Sequence, residues 1–220
     1  MLVESHTKRK ERSAKITAIL KNTYPDVRIA LNFNNPLELL VATILSAQCT
    51  DVRVNQVTAD LFKKYRTAAD YAAACPKEFE EEIRPTGFYR NKTKLVLGAA
   101  AKIAAEYAGS VPDSMDDLLT LPGVARKTAN VVLSQAFGKN EGIIVDTHVI
   151  RLSQRLNLTK YKDNAGDRIE KDLMELVPRT AWSDFGNRLI WHGRLVCTAR
   201  RPKCAGCPLR KLCPSASMAQ

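Results

Sequence analysis

The sequence predicts an all-α protein, and three observations carry that prediction. Apolar residues recur at helical spacing along almost the whole chain, no alternation of period two lasts more than a few residues, and cap signals stand ahead of most periodic runs. Asn35-Pro36 opens the first strong run, with Leu37, Leu40, Val41, Ile44 and Leu45 on one face. Proline suits a first helical position because the N–H it lacks is one that a helix start leaves unpaired. Thr50 and Asp51 then cap a run through Val54, Val57, Leu61 and Phe62. Thr67 and Pro76 open two short helices, and residues 90–107 form a longer one. Ser114 and Asp117 have capping-box spacing ahead of Leu118 and Leu119. Further helices are expected over 126–137, 147–156, 164–177 and 181–196. No low-complexity linker or fixed repeat divides the chain, and the turn cluster Gly138–Gly142 is the one hinge candidate in its middle.

Composition narrows the class of function. The 220 residues carry 34 Lys+Arg against 23 Asp+Glu, a formal charge of +11, with 45% hydrophobic and 26% charged residues, which excludes a largely disordered or collagen-like chain. No apolar stretch approaches the roughly 18–20 residues of a spanning helix. Even Leu37–Ala47 is interrupted by Glu38, Thr43 and Ser46. The first residues have charge but no apolar core behind it, so no secretory signal is read there, and a cytoplasmic protein off the membrane is expected. His6 is expected in a mobile end. Charge alone leaves two readings equally open, a solvated basic surface or a polyanionic partner.

Of six cysteines, Cys197, Cys204, Cys207 and Cys213 crowd into one C-terminal segment, whereas Cys49 and Cys75 stand apart among apolar neighbours and are expected to be buried and inert. A disulfide pair is unexpected in a chain read as cytoplasmic, so a four-thiolate metal site leads. By ligand type alone zinc and an iron–sulfur cluster compete. His148 and His192 are ligands by type, but lone helical histidines more commonly pack or hydrogen-bond.

A second constellation lies between the helices expected at 114–120 and 126–137. Leu121-Pro122-Gly123-Val124-Ala125 reads as a tight turn in which Gly123 permits positive φ. The helix after it begins with unpaired amides and a positive dipole end, where a phosphate can sit. Lys127 falls in that first turn beside Arg126, where the dipole and the neighbouring cation disfavour the ammonium form and favour a nucleophilic amine. Asp146 stands as N-cap of the helix begun by Thr147-His148, a place where amide hydrogen bonds favour the carboxylate. An anion there is able to stabilise a sugar cation.

Together these residues resemble a known family. Leu121–Asn130, continued by Gly138 and Val145-Asp-Thr-His148, is similar to the helix-hairpin-helix and Gly/Pro-rich loop with its aspartate in base-excision DNA glycosylases. The spacing C-x6-C-x2-C-x5-C over Cys197, Cys204, Cys207 and Cys213 is similar to the cluster loop of their endonuclease III branch. Ala125 departs from the glycine usual at its hairpin position. The resemblance implies a two-domain helix-hairpin-helix DNA glycosylase fold. One domain is continuous, over 29–141, and the other is formed by 1–28 plus 142–220 and holds one 4Fe-4S cluster on the four cysteines.

It further implies a monomeric, nucleoid-associated enzyme that flips a damaged pyrimidine out of duplex DNA. Lys127 is then the nucleophile that expels the base and, through a Schiff base, cuts 3′ to the abasic site, with Asp146 stabilising the sugar. Lysine at 127 separates this branch from adenine glycosylases. Gln48, in Leu45-Ser-Ala-Gln48, resembles the residue that fills the gap left by the flipped nucleotide, and Phe88, in Thr86-Gly-Phe88, the apolar wedge. DNA contacts are expected from Leu121, Gly123, Ala125, Arg126, His148, Arg200, Arg201 and Lys203, with Arg151 and Arg155 added to the same basic surface. The rival functions are a mismatch or pyrimidine-dimer glycosylase and a non-catalytic metal-containing DNA-binding module.

Overall fold

The computed structural model describes residues 4–217. Among them every regular element is helical: α1 His6–Thr23, α2 Pro36–Leu45, α3 Asp51–Lys64, α4 Ala68–Ala72, α5 Pro76–Ile83, α6 Tyr89–Glu106, α7 Met115–Leu119, α8 Arg126–Ala136, α9 Thr147–Arg155, α10 Gly166–Leu176 and α11 Trp182–Leu195, with short 3₁₀ turns between. No helix among these residues is long and apolar enough to cross a membrane. The chain falls into two compact units, one continuous over Ile29–Lys139, the other joining the residues up to Arg28 with those from Asn140 onward.

In the continuous unit, side-chain caps set the helix starts. Asn35 accepts the Glu38 amide at the head of α2, Thr50 the Arg53 amide at the head of α3, and Ser114 the Asp117 amide at the head of α7. Thr67 and Asp70 form a reciprocal capping box on α4. Helix α2 is buried at every position from Leu39 to Leu45, because α3, α6 and α8 all pack on it. Cys75 is exposed as the N-cap of α5 and Cys49 is only half buried, so neither is the buried cysteine that its apolar sequence neighbours suggest. Cys75 stands where the chain enters α5, outside the helix face that buries Phe79 and Ile83.

The discontinuous unit is closed by its first helix. Ile16 and Leu20 of α1 are fully buried in one core with Val149 and Leu152 of α9, Ile169 and Leu173 of α10, Phe185 and Leu189 of α11, and Leu209. Burying two such side chains contributes about 1.5–3 kcal/mol each. Arg12 adds a polar tie, its guanidinium donating to the carbonyls of Leu156, Asn157 and Leu212 while pairing with Glu4. His6 opens α1, its ring 3.8 Å from Glu175 of α10 with both side chains exposed. The Ser5 side chain caps the helix and fixes its start.

Backbone meets backbone where α11 passes the segment Ile143–Val145, which delivers Asp146. A Cβ added at Gly186 would stand 2.8 Å from the Ile144 carbonyl oxygen and 3.1 Å from its amide nitrogen. One at Gly193, two turns further on the same face, would stand 3.0 Å from His148 Cβ. Gly186→Ala gains about 0.5–1 kcal/mol of helix preference but meets fixed backbone, and overpacking costs about 1–3 kcal/mol. A net loss in denaturant unfolding is therefore expected, and a stabilised Gly186→Ala protein would contradict the tight approach.

Candidate nucleic-acid interface and cluster site

The hairpin between α7 and α8 is built from its own backbone. The Leu121 amide donates to Leu118 O and the Val124 amide to Leu121 O, each at 3.1 Å, while Gly123 takes φ +79°, which only glycine adopts without strain. Leu121 and Val124 are buried. With its side chain in the core and its amide engaged, Leu121 holds the turn. Among the described residues, the amides of Gly123 and Ala125 donate to no backbone carbonyl, and α8 has no side-chain cap. Those groups face solvent and suit an anion. Ala125 has φ −95°, open to any residue, so the glycine usual there is not needed for the turn. Lys127 lies exposed in the first turn of α8, with Arg126 half-buried beside it.

Asp146 caps α9, Oδ1 accepting the Val149 amide at 2.9 Å. His148, two residues on, is half-buried, and burial holds it below the usual histidine range. Its Nδ1 lies 3.1 Å from Arg151 Nη2, which fits a neutral ring accepting from the guanidinium. Arg151 also donates to the carbonyls of Gly193 and Cys197, and Arg155 to those of Thr198 and Ala199 and to Cys197 Sγ. Both arginines therefore staple the cysteine loop and leave the basic surface expected of them. By contrast Arg200, Arg201 and Lys203 are exposed, on a loop closed by Thr198 Oγ1 donating to Arg201 O and Lys203 N to Val196 O.

The four clustered cysteines line one cavity of about 250 Å³ in the discontinuous unit. Burial pushes the Cys207 and Cys213 thiols up, a penalty that a bound metal reverses by taking the thiolate. Four thiols lining one cavity supply the donor set of an iron–sulfur cluster. Around them, Arg155 Nη1 approaches Cys197 Sγ at 3.2 Å and His192 Nε2 lies 3.4 Å from Cys207 Sγ. His192 is pushed down to about 4 by burial, and its Nδ1 meets the Tyr24 hydroxyl at 3.0 Å. Such donors compensate thiolate charge. Sequence reading treated His192 only as a packing or hydrogen-bonding residue, and nothing local to it announces a place beside Cys207.

Gln48 and Phe88 are both non-glycine residues at positive φ, +53° and +49°. Both side chains are exposed, Phe88 at 66%, which its sequence rival, a core phenylalanine, does not fit. Lys92 of α6 is buried beneath them, a lysine that no sequence motif marks.

A hairpin with open amides and a nearby lysine, together with a four-cysteine loop, defines a helix-hairpin-helix protein with an iron–sulfur domain. Residues 41–179 match the model of the HhH-GPD superfamily base excision DNA repair proteins, and residues 197–213 match the iron–sulfur binding domain of endonuclease III. The chain is 54% identical to an endonuclease III of Synechocystis sp. (strain ATCC 27184 / PCC 6803 / Kazusa) over 215 residues, 98% of this chain and 97% of that one. Two solved structures, a non-covalent endonuclease III–DNA complex and a trapped endonuclease III–DNA covalent intermediate, each superpose with TM-score 0.90 at 43% identity. They cover 99% of this chain and 98% and 99% of their own. The chain belongs to the HhH-GPD family of base excision DNA repair proteins, in its endonuclease III branch. Its cofactor is accordingly a 4Fe-4S cluster.

Arg155→Met should remove the two bonds to loop carbonyls and the donor to Cys197 Sγ together. Faster loss of the cluster's visible absorbance under air is expected, and a loss rate equal to that of the unaltered protein would show the staple to be dispensable.

Proposed function

We propose that Lys127 is the nucleophile of a bifunctional DNA glycosylase and abasic-site lyase acting on oxidised pyrimidines. The observation that carries this reading is an exposed lysine in the first turn of α8, directly behind a hairpin whose Gly123 and Ala125 amides are free for phosphate. Backbone amides, a dipole end and Arg126 hold the strand, while exposed Arg200, Arg201 and Lys203 add contacts to phosphate from the cysteine loop.

The Nζ lone pair attacks C1′ of the flipped nucleoside, and the C1′–N bond breaks with its electrons leaving on the base, which takes up a proton. Ring opening gives a Schiff base. Loss of a C2′ proton then expels the 3′ phosphate oxygen, and water releases the lysine. Asp146 stabilises positive charge on the sugar from a cap that fixes its own rotamer. Cys197, Cys204, Cys207 and Cys213 hold the cluster, which when bound supplies a rigid anchor for the basic loop and no step of the reaction. The continuous domain of residues 29–141 carries the hairpin and Lys127. The enzyme works as a monomer in the cytoplasm at the nucleoid, on duplex DNA bearing a damaged pyrimidine or an abasic site.

Borohydride trapping on an abasic duplex tests the central step. Lys127→Ala should give no covalent adduct while still retarding the duplex in a gel, whereas a trapped adduct would remove Lys127 from its role. Asp146→Asn should keep the cap, changing stability by less than about 0.5 kcal/mol, since both residues cap well. Base release should nevertheless slow by on the order of 100-fold in single turnover. Equal loss of stability and rate would reduce Asp146 to a cap.

A further inference from the structure

We propose that Lys92 is a positioning residue that holds the Gln48 and Phe88 turns in register for insertion into DNA. The proposal rests on the reading of those two side chains as the ones that enter the duplex. Lys92 is only 2% exposed, and its Nζ donates to the carbonyls of Leu45 and Thr86, each at 2.8 Å. Leu45 ends α2, three residues before Gln48, and Thr86 closes the 3₁₀ turn two residues before Phe88. One side-chain nitrogen therefore joins the two turns, which lie far apart in sequence but within the same unit.

Each turn carries a non-glycine residue in the left-handed region, a conformation costing about 1–3 kcal/mol that persists only where its surroundings over-determine it. Neither Gln48 nor Phe88 is held by burial of its own side chain, since both are exposed. What fixes them is backbone. The Cys49 amide donates to Ser46 O below Gln48, and the Asn91 and Lys92 amides donate to Phe88 O. The Lys92 side chain then ties the two local arrangements to each other. Burial also pulls its Nζ below the usual lysine range, and either protonation state keeps two N–H donors for two carbonyls. A lysine serving only to satisfy helix-end carbonyls would stabilise the fold without coupling to either exposed side chain.

The probe is a duplex with a tetrahydrofuran abasic analogue facing 2-aminopurine, bound by the cluster-loaded protein and read by affinity and by 2-aminopurine fluorescence. Gln48→Ala and Phe88→Ala should each weaken binding and restore stacking-quenched fluorescence. If both leave affinity and fluorescence unchanged, the insertion reading itself falls. With that reading standing, Lys92→Met should weaken binding by about tenfold, the scale of one or two lost hydrogen bonds. Combined with Phe88→Ala it should add little, because the clamp acts through the side chain already removed. Lys92→Gln, which retains one donor group, replaces Lys92→Met in the cycle if the latter does not fold. Unchanged affinity in the Lys92 variant, or losses that add fully in the double variant, would overturn the clamp and leave a purely structural lysine.

Discussion

The close approach of α11 to the 143–148 segment is the constraint on which the discontinuous unit depends. Two glycines seven residues apart put a smooth strip on one face of the helix, so backbone lies on backbone at Ile144 and α11 reaches His148 without an intervening Cβ. Asp146 gains its fixed place at the head of α9 from that contact, and the carbonyls of Gly193 and Cys197 come within reach of Arg151. Widening the contact by one methyl group would displace the cap residue and the cysteine loop together.

Cationic side chains divide by what they touch, not by where they fall in sequence. Arg12, Arg151 and Arg155 give their N–H groups to backbone carbonyls around the cysteine loop, a task for which a planar five-donor group is suited. Lys92 does the same beneath two turns of the other unit. The excess of +11 therefore overstates the charge offered to a polyanion. Exposed cations such as Lys127, Arg200, Arg201 and Lys203 remain to meet it. Salt dependence of DNA affinity reports the number of phosphate contacts alone, so it falls short of the number of basic residues.

Helix starts were legible because caps are local: Asn35, Thr50, Thr67, Ser114 and Asp146 each bond an amide three residues onward, and such pairs need no tertiary knowledge. The hairpin and the cysteine loop were legible for the same reason, since their chemistry sits in contiguous residues. Roles created by packing were not. The burial of the Leu121 side chain and the bond from Arg155 to Cys197 Sγ both come from tertiary neighbours, whereas the exposure of Cys75 follows from the helix start at Pro76 that the sequence already marks. His192 and Lys92 make their decisive contacts with residues remote in sequence, and periodicity records only that each lies on a helix.

The core built from α1 also bears on how the protein is made. Helix α1 is made well before Val149, Ile169, Phe185 and Leu209, the residues that bury Ile16 and Leu20. The continuous unit has all of its chain available before them and is able to fold as the rest emerges. Until then α1 carries Ile16, Ile19 and Leu20 without the core that covers them. Docking of α1 therefore needs the cysteine loop to be present, since Arg12 bonds Leu212 O and Leu209 shares a core with Ile16 and Leu20.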